Sequence, residues 1–152
     1  MTPGRIDPNV VAQRALWISE MLSALNDLHL EDKETFLTDR HKVAAAESYL
    51  RRSLEALFDI GRHILAKGFG YPATEYKEVA KGLYEKRVLE GKEADLIREM
   101  AGYRNRMVHF YHEITPEELH SICLNHIVEI KLLVEKLLQW TKQHRPTETY
   151  PF

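Results

Sequence analysis

Apolar residues recur along this chain at intervals of three and four, the spacing that lines one face of an α-helix. Val10, Val11, Trp17, Met21, Leu22, Leu25 and Leu28 form the first such stripe. Asp7 and Pro8 precede it as a capping side chain and a residue whose fixed φ suits the first helical position. A polar run, EDKET, separates it from a longer stripe through Val43, Ala46, Leu50, Leu54, Leu57, Ile60, Ile64 and Leu65. Gly68, Gly70 and Pro72 stop this second helix, the longest expected, because glycine accepts a left-handed C-terminal cap and proline cannot continue the ladder.

A third helix is predicted over 75–89, capped by Thr74, turning Tyr76, Val79, Leu83 and Tyr84 inward and ended by Gly91. A fourth begins near Glu93, with Leu96, Ile97, Met100, Met107 and Val108 on its apolar side. The fifth starts at TPEE, where Thr115 and Glu118 make a capping box with Pro116 in the first turn. Its stripe runs from Leu119 through Ile122, Ile127, Ile130, Leu133, Val134, Leu137 and Leu138 to about Lys142. No stretch shows the period-two alternation of a strand. The expected fold is all-α, an up-and-down bundle of four to five helices, with one domain over 1–143 and a tail over 144–152 that carries prolines and no period.

A chain of 152 residues, 44% hydrophobic, is long enough for a single core. The formal net charge of −2 is not that of a generally basic nucleic-acid binder, so any phosphate site must be local. Cys123 is the one cysteine and lies in an apolar stripe, which rules out an internal disulfide and a cysteine-based zinc site and points to burial. No membrane span and no signal-peptide core are found, so the expected address is the cytoplasm. Phosphate-loop, dinucleotide, zincin and serine-hydrolase patterns are all missing.

One stretch holds polar residues that packing does not request. Residues 103–118 read YRNRMVHFYHEITPEE, gathering Tyr103, Arg104, Asn105, Arg106, His109, Tyr111 and His112 where one helix should stop and another begin. His109 and His112 beside Glu113 outline a metal face, but a zinc site needs three or four supported ligands and no second pair is at hand, so no metal is expected. The other histidines, His29, His41, His63, His120, His126 and His144, are scattered singly and suit helix surfaces; Tyr76 with Tyr84, and Phe58 with Trp17, suit core or groove lining.

On a continuous helix Arg104 and His109 would lie about 140° apart and could not share a site. Either the helix ends between them, or two copies of the chain build one cleft. Histidine moves protons near neutral pH, and arginine offers a fork of donors matched to phosphate oxygens. Together they suffice for metal-free cleavage of RNA by its own 2′-hydroxyl. The plain alternative is a helix end whose cations favour the negative end of the dipole.

RNRMVH resembles the R-x4-6-H signature of HEPN ribonucleases, with Asn105 as the polar companion, and extending it to Tyr111 gives the R-x4-H-x-Y of HepT toxins. The likeness reaches from about Asp7 to Leu138, through YLRRSLEALFDIGRHILAKGFGYPATEYKEVAKGLYEKRVL and IREMAGYRNRMVHFYHEITPEELHSI. It implies a HEPN-like bundle and a ribonuclease that acts as the toxin of a toxin–antitoxin pair, working as a homodimer with its cleft at the interface. It further implies a nucleotidyltransferase antitoxin that silences the toxin by moving AMP from ATP to a tyrosine. No cofactor of the chain's own is expected; ATP is the partner's AMP donor. Carried over, Arg104 and His109 are catalytic, Asn105 shapes the site and Tyr111 accepts AMP. Arg106 and His112 either hold the RNA backbone or simply face solvent. A reading from another class is a non-catalytic HEPN protein that binds nucleotide or helps a nucleotidyltransferase.

Overall fold

A computed structural model describes residues 5–109 and 114–144. Among them the fold is all-α, with seven helices and no strand: α1 (Pro8–Asn26), α2 (Lys33–Thr38), α3 (Arg40–Phe69), α4 (Tyr76–Glu85), α5 (Gly91–Val108), α6 (Pro116–Asn125) and α7 (Ile127–Gln143). The count exceeds the expected four to five for two reasons. EDKET is part of a helix rather than a plain separator: Asp32 caps α2 through Thr35, and its single turn and a half brings Phe36 to full burial. The predicted last helix is also interrupted at His126, where Asn125 and His126, both weak helix formers, follow one another.

The long helix α3 is the spine, touched by every other helix. Its face of Leu50, Leu54, Leu57, Ile60, Ile64 and Leu65 is fully buried, and Gly70, with φ 62°, closes its end. Helix α1 lies antiparallel to it: the amide of Asp7 donates to His63 Nε2 at 2.9 Å, and one turn and more further on Arg14 faces Asp59 at 3.6 Å. Helix α4 comes close to α3 through paired glycines. A Cβ on Gly61 would meet Val79 Cγ1 at 2.9 Å, and one on Gly82 would meet Leu65 Cδ1 at 2.8 Å.

Several local expectations are corrected. Thr74 does not cap α4; Glu75 takes the cap position, and the Thr74 carbonyl accepts from Arg62 instead. Helix α4 ends at Glu85 because Arg87 turns to φ 58° and the amides of Val88 and Leu89 both reach back to Leu83. Gly91 therefore opens α5 rather than ending α4. Tyr84 is exposed, and Phe58 packs edge-on against Tyr76 at 5.1 Å rather than against Trp17. His120 is buried, not solvated: its Nε2 lies 2.6 Å from the Leu30 carbonyl and its ring leans on Phe36. Cys123 is buried as expected.

Candidate active site at the end of helix α5

Helix α5 continues through Val108, and the amide of His109 donates to the Asn105 carbonyl at 3.0 Å as the last bond of the ladder. His109 itself is extended, with φ −90° and ψ 120°, and exposed. The helix thus ends between Arg104 and His109, at the last residue that allows it. Arg104, Asn105 and Arg106 remain helical, and their side chains leave on different sides of α5.

Arg104 turns toward α3 and α4. Its Nη2 donates to Glu55 Oε2 at 3.0 Å, and its guanidinium lies over the Tyr76 ring at 4.1 Å from the centroid. Glu55 also accepts from Arg51, which pairs in turn with Glu47, so the carboxylate is fixed from two sides. Arg104 Nε is buried without a hydrogen-bond partner, while Nη1 makes no protein hydrogen bond among the described residues. A cation stacked on a tyrosine and bound to a carboxylate is held in orientation by both.

Arg106 turns the other way, to α6. Both Nη atoms donate to the Glu118 carboxylate at 2.6 Å, a bidentate pair that depresses the carboxyl pKa. Glu118 amide still donates to Thr115 Oγ1 at 3.1 Å, so half of the expected capping box is present, and Arg106 takes the Glu118 side chain. The Arg106 side chain is 40% exposed, and its charge is matched by Glu118, which ties the end of α5 to the start of α6. Tyr103 donates to Glu99 at 2.6 Å and leans on His126, and burial with the nearby carboxylates raises its pKa.

No hydrogen bond or ion pair joins Arg104 to His109 within one chain. Tyr111 and His112 lie outside the described residues, as does Glu113 of the metal face weighed above. Among the described residues no group of three His, Cys, Asp or Glu is arranged to hold a metal ion. Glu55, Tyr76 and Glu118 belong to the arrangement but were not assigned to it from sequence: Tyr76 was read as core or groove lining and Glu118 as a capping residue. Glu55 and Arg104 are 49 residues apart, and only the fold makes them neighbours.

With this geometry in view, comparison with known proteins is decisive on kinship. A family model described as Ribonuclease HepT-like matches residues 18–137. This chain belongs to the HepT-like family. No curated protein sequence matches it, but solved structures share the HepT-like fold. One is a toxin–antitoxin complex with AMP-PNP, at TM-score 0.76 and 17% identity, covering 84% of this chain and 97% of that one. Another is the tri-AMPylated HEPN toxin of Shewanella oneidensis in complex with its MNT antitoxin, at TM-score 0.76 and 18% identity, over 84% of this chain and 96% of that one. A third is YutE of Bacillus subtilis, a cytosolic protein of unknown function, at TM-score 0.74 and 15% identity, over 95% and 98%. Among the described residues of this HepT-like chain no helix is long and apolar enough to cross a membrane.

Proposed function

We propose that this HepT-like protein is a metal-independent endoribonuclease, the toxin of a toxin–antitoxin pair, with its active cleft formed by two copies of the chain. The observation that carries the reading is the end of α5. His109 is released from the helix and exposed, while Arg104, five residues earlier, is locked on Glu55 and Tyr76 with Nη1 unbonded among the described residues. No hydrogen bond or ion pair joins them within one chain, and in this reading a second copy places the Arg104 of each with the His109 of both.

In that cleft one His109 takes the proton from a ribose 2′-hydroxyl as its oxygen attacks the adjacent phosphorus. The bond from phosphorus to the 5′-oxygen breaks, and the second His109 protonates the leaving oxygen. The products are a 2′,3′-cyclic phosphate and a free 5′-hydroxyl. Arg104 Nη1 faces the charge that builds on the phosphorane oxygens. Asn105 shapes the cleft beside it. Histidine and arginine supply the proton transfer and charge stabilisation, so the step as drawn uses no metal and no cofactor.

The antitoxin in this reading is a small nucleotidyltransferase that uses ATP. The Tyr111 phenol attacks the α-phosphorus, pyrophosphate leaves, and a tyrosyl-AMP remains two residues past His109. The added bulk and negative charge would obstruct an RNA path. The tri-AMPylated state of the Shewanella oneidensis toxin supports this direction. The experiment is co-expression with the neighbouring nucleotidyltransferase gene: growth inhibition should be relieved and the intact mass should rise by whole AMP units. Tyr111→Phe should lose at least one unit and keep more of its toxicity. An unchanged mass in the native protein, with toxicity nonetheless relieved, would replace modification by plain sequestration.

A further inference from the structure

At the end of the molecule where α3, α4 and α7 finish lies a cleft of about 460 Å³ that no part of the proposed reaction uses. Its lining includes Lys86, Arg87 and Lys136 with Trp140 and His144, and no carboxylate lines it among the described residues. None of the three cations has an ion pair with a carboxylate among the described residues; the neighbouring Glu85 faces Lys81 instead, at 3.7 Å. Trp140 and His144 are stacked at 4.2 Å with 11° between planes, and the exposed imidazole continues the aromatic surface outward. Lys86 is held over Phe69, at 5.9 Å from its centroid, at the rim.

Arg87 is the second, independent sign. It sits at φ 58° in the position just past a helix end where glycine is the unstrained choice, with the Val88 and Leu89 amides closing the turn around it. Strain kept at a charged residue beside an unpaired cationic cleft points to use of the charge. The chemistry on offer is threefold: cations for a phosphate, an aromatic stack for a base, and the amides of Gln139 and Gln143 for base edges.

We propose that this cleft binds a phosphate bearing an unpaired base, as a free nucleotide or within a single strand of RNA. His126, at the opposite end of α7, leans on Tyr103 next to Arg104, so about 15 Å of helix to Lys136 and about 27 Å to His144 separate the cleft from the proposed catalytic end. The subsite is thus distinct from that end, and its binding does not depend on turnover by His109.

The test uses the full chain carrying His109→Ala, so that RNA is not consumed, and Trp17→Phe, so that Trp140 is the remaining tryptophan. AMP and a single-stranded RNA of about twelve nucleotides are titrated separately while Trp140 emission is followed. Binding should quench the emission. Lys86→Glu with Lys136→Glu should weaken it by about tenfold or more, as should raised salt. Arg87→Gly, which relieves the strained φ and so should fold at least as well, should also weaken it. Quenching by AMP assigns a free-nucleotide site, and quenching by the strand alone assigns an RNA subsite. No quenching by either, or affinities unchanged within about twofold in both charge variants, overturns the proposal. So does charge reversal that weakens only association with the nucleotidyltransferase, which would make the patch a protein interface. Failure of RNA cleavage by the unmodified chain would sink the ribonuclease reading and leave this binding result standing.

Discussion

Arg104 presents three chemically different edges: Nη2 on Glu55, Nε buried without an acceptor, and Nη1 with no hydrogen bond among the described residues. The arrangement fixes where the free edge points, and the stacked Tyr76 removes the remaining tilt. Glu55 is thereby a positioning residue for the proposed reaction. A bond between two charged groups is stronger than one to a neutral amide by roughly 1–1.5 kcal/mol, so Glu55→Gln should lower kcat about tenfold while changing KM less than about twofold. Steady-state cleavage of a short RNA measures the split, and a kcat equal to that of the native chain would show that Glu55 does not orient Arg104. The motif residues themselves were legible in the sequence because spacing and residue type define them. Their partners were not. Glu55 reads as one more polar position on a long helix, and Glu118 as a capping-box residue, until the fold sets each against an arginine. At Cys123, by contrast, the surrounding apolar stripe was enough: burial pushes the thiol up to about 12, which leaves it protonated and inert at neutral pH.

Among the elements, the long apolar stripes located the main helices but missed α2 and the split between α6 and α7, and the boundaries followed local chemistry that the stripes do not carry. Asp7 and Thr115 cap as expected, since their side-chain oxygens reach amides two and three residues on. The breaks at Arg87 and His126 were missed because neither residue is a usual helix stop. One is a backbone turn into the left-handed region, and the other rests on a ring drawn aside to Glu129 and Tyr103. The approach of α4 to α3 was also hidden, since a glycine inside a helix looks like a defect until its neighbour is known. Gly82→Ala should raise helix propensity yet destabilise the fold by about 1–3 kcal/mol, because the new Cβ would fall 2.8 Å from Leu65 Cδ1 and from Tyr71 Cε1. Chemical denaturation reads this directly; a neutral or stabilising result would mean that the helices part without cost and that the close packing is not a constraint.

The molecule as a whole is a helical body around α3 with its chemistry at the ends of helices: the motif where α5 stops, and the cationic cleft where α4 and α7 stop. A net charge of −2 agrees with that distribution, in which most arginines near the motif face carboxylates. A cleft built from two copies gives the proposed reaction a concentration dependence. If two copies make the cleft, specific activity should fall on dilution through the dimer's dissociation range, in step with the loss of dimer mass seen by light scattering. Activity per chain that stays constant through that range would place the site within one copy. The most direct measurement is RNA cleavage by the purified chain and by His109→Ala, with the new ends analysed chemically. The native chain should leave 2′,3′-cyclic phosphate and 5′-hydroxyl ends, and His109→Ala should be slower by about 10²–10⁴-fold. Equal rates for the two proteins would contradict the assignment of His109.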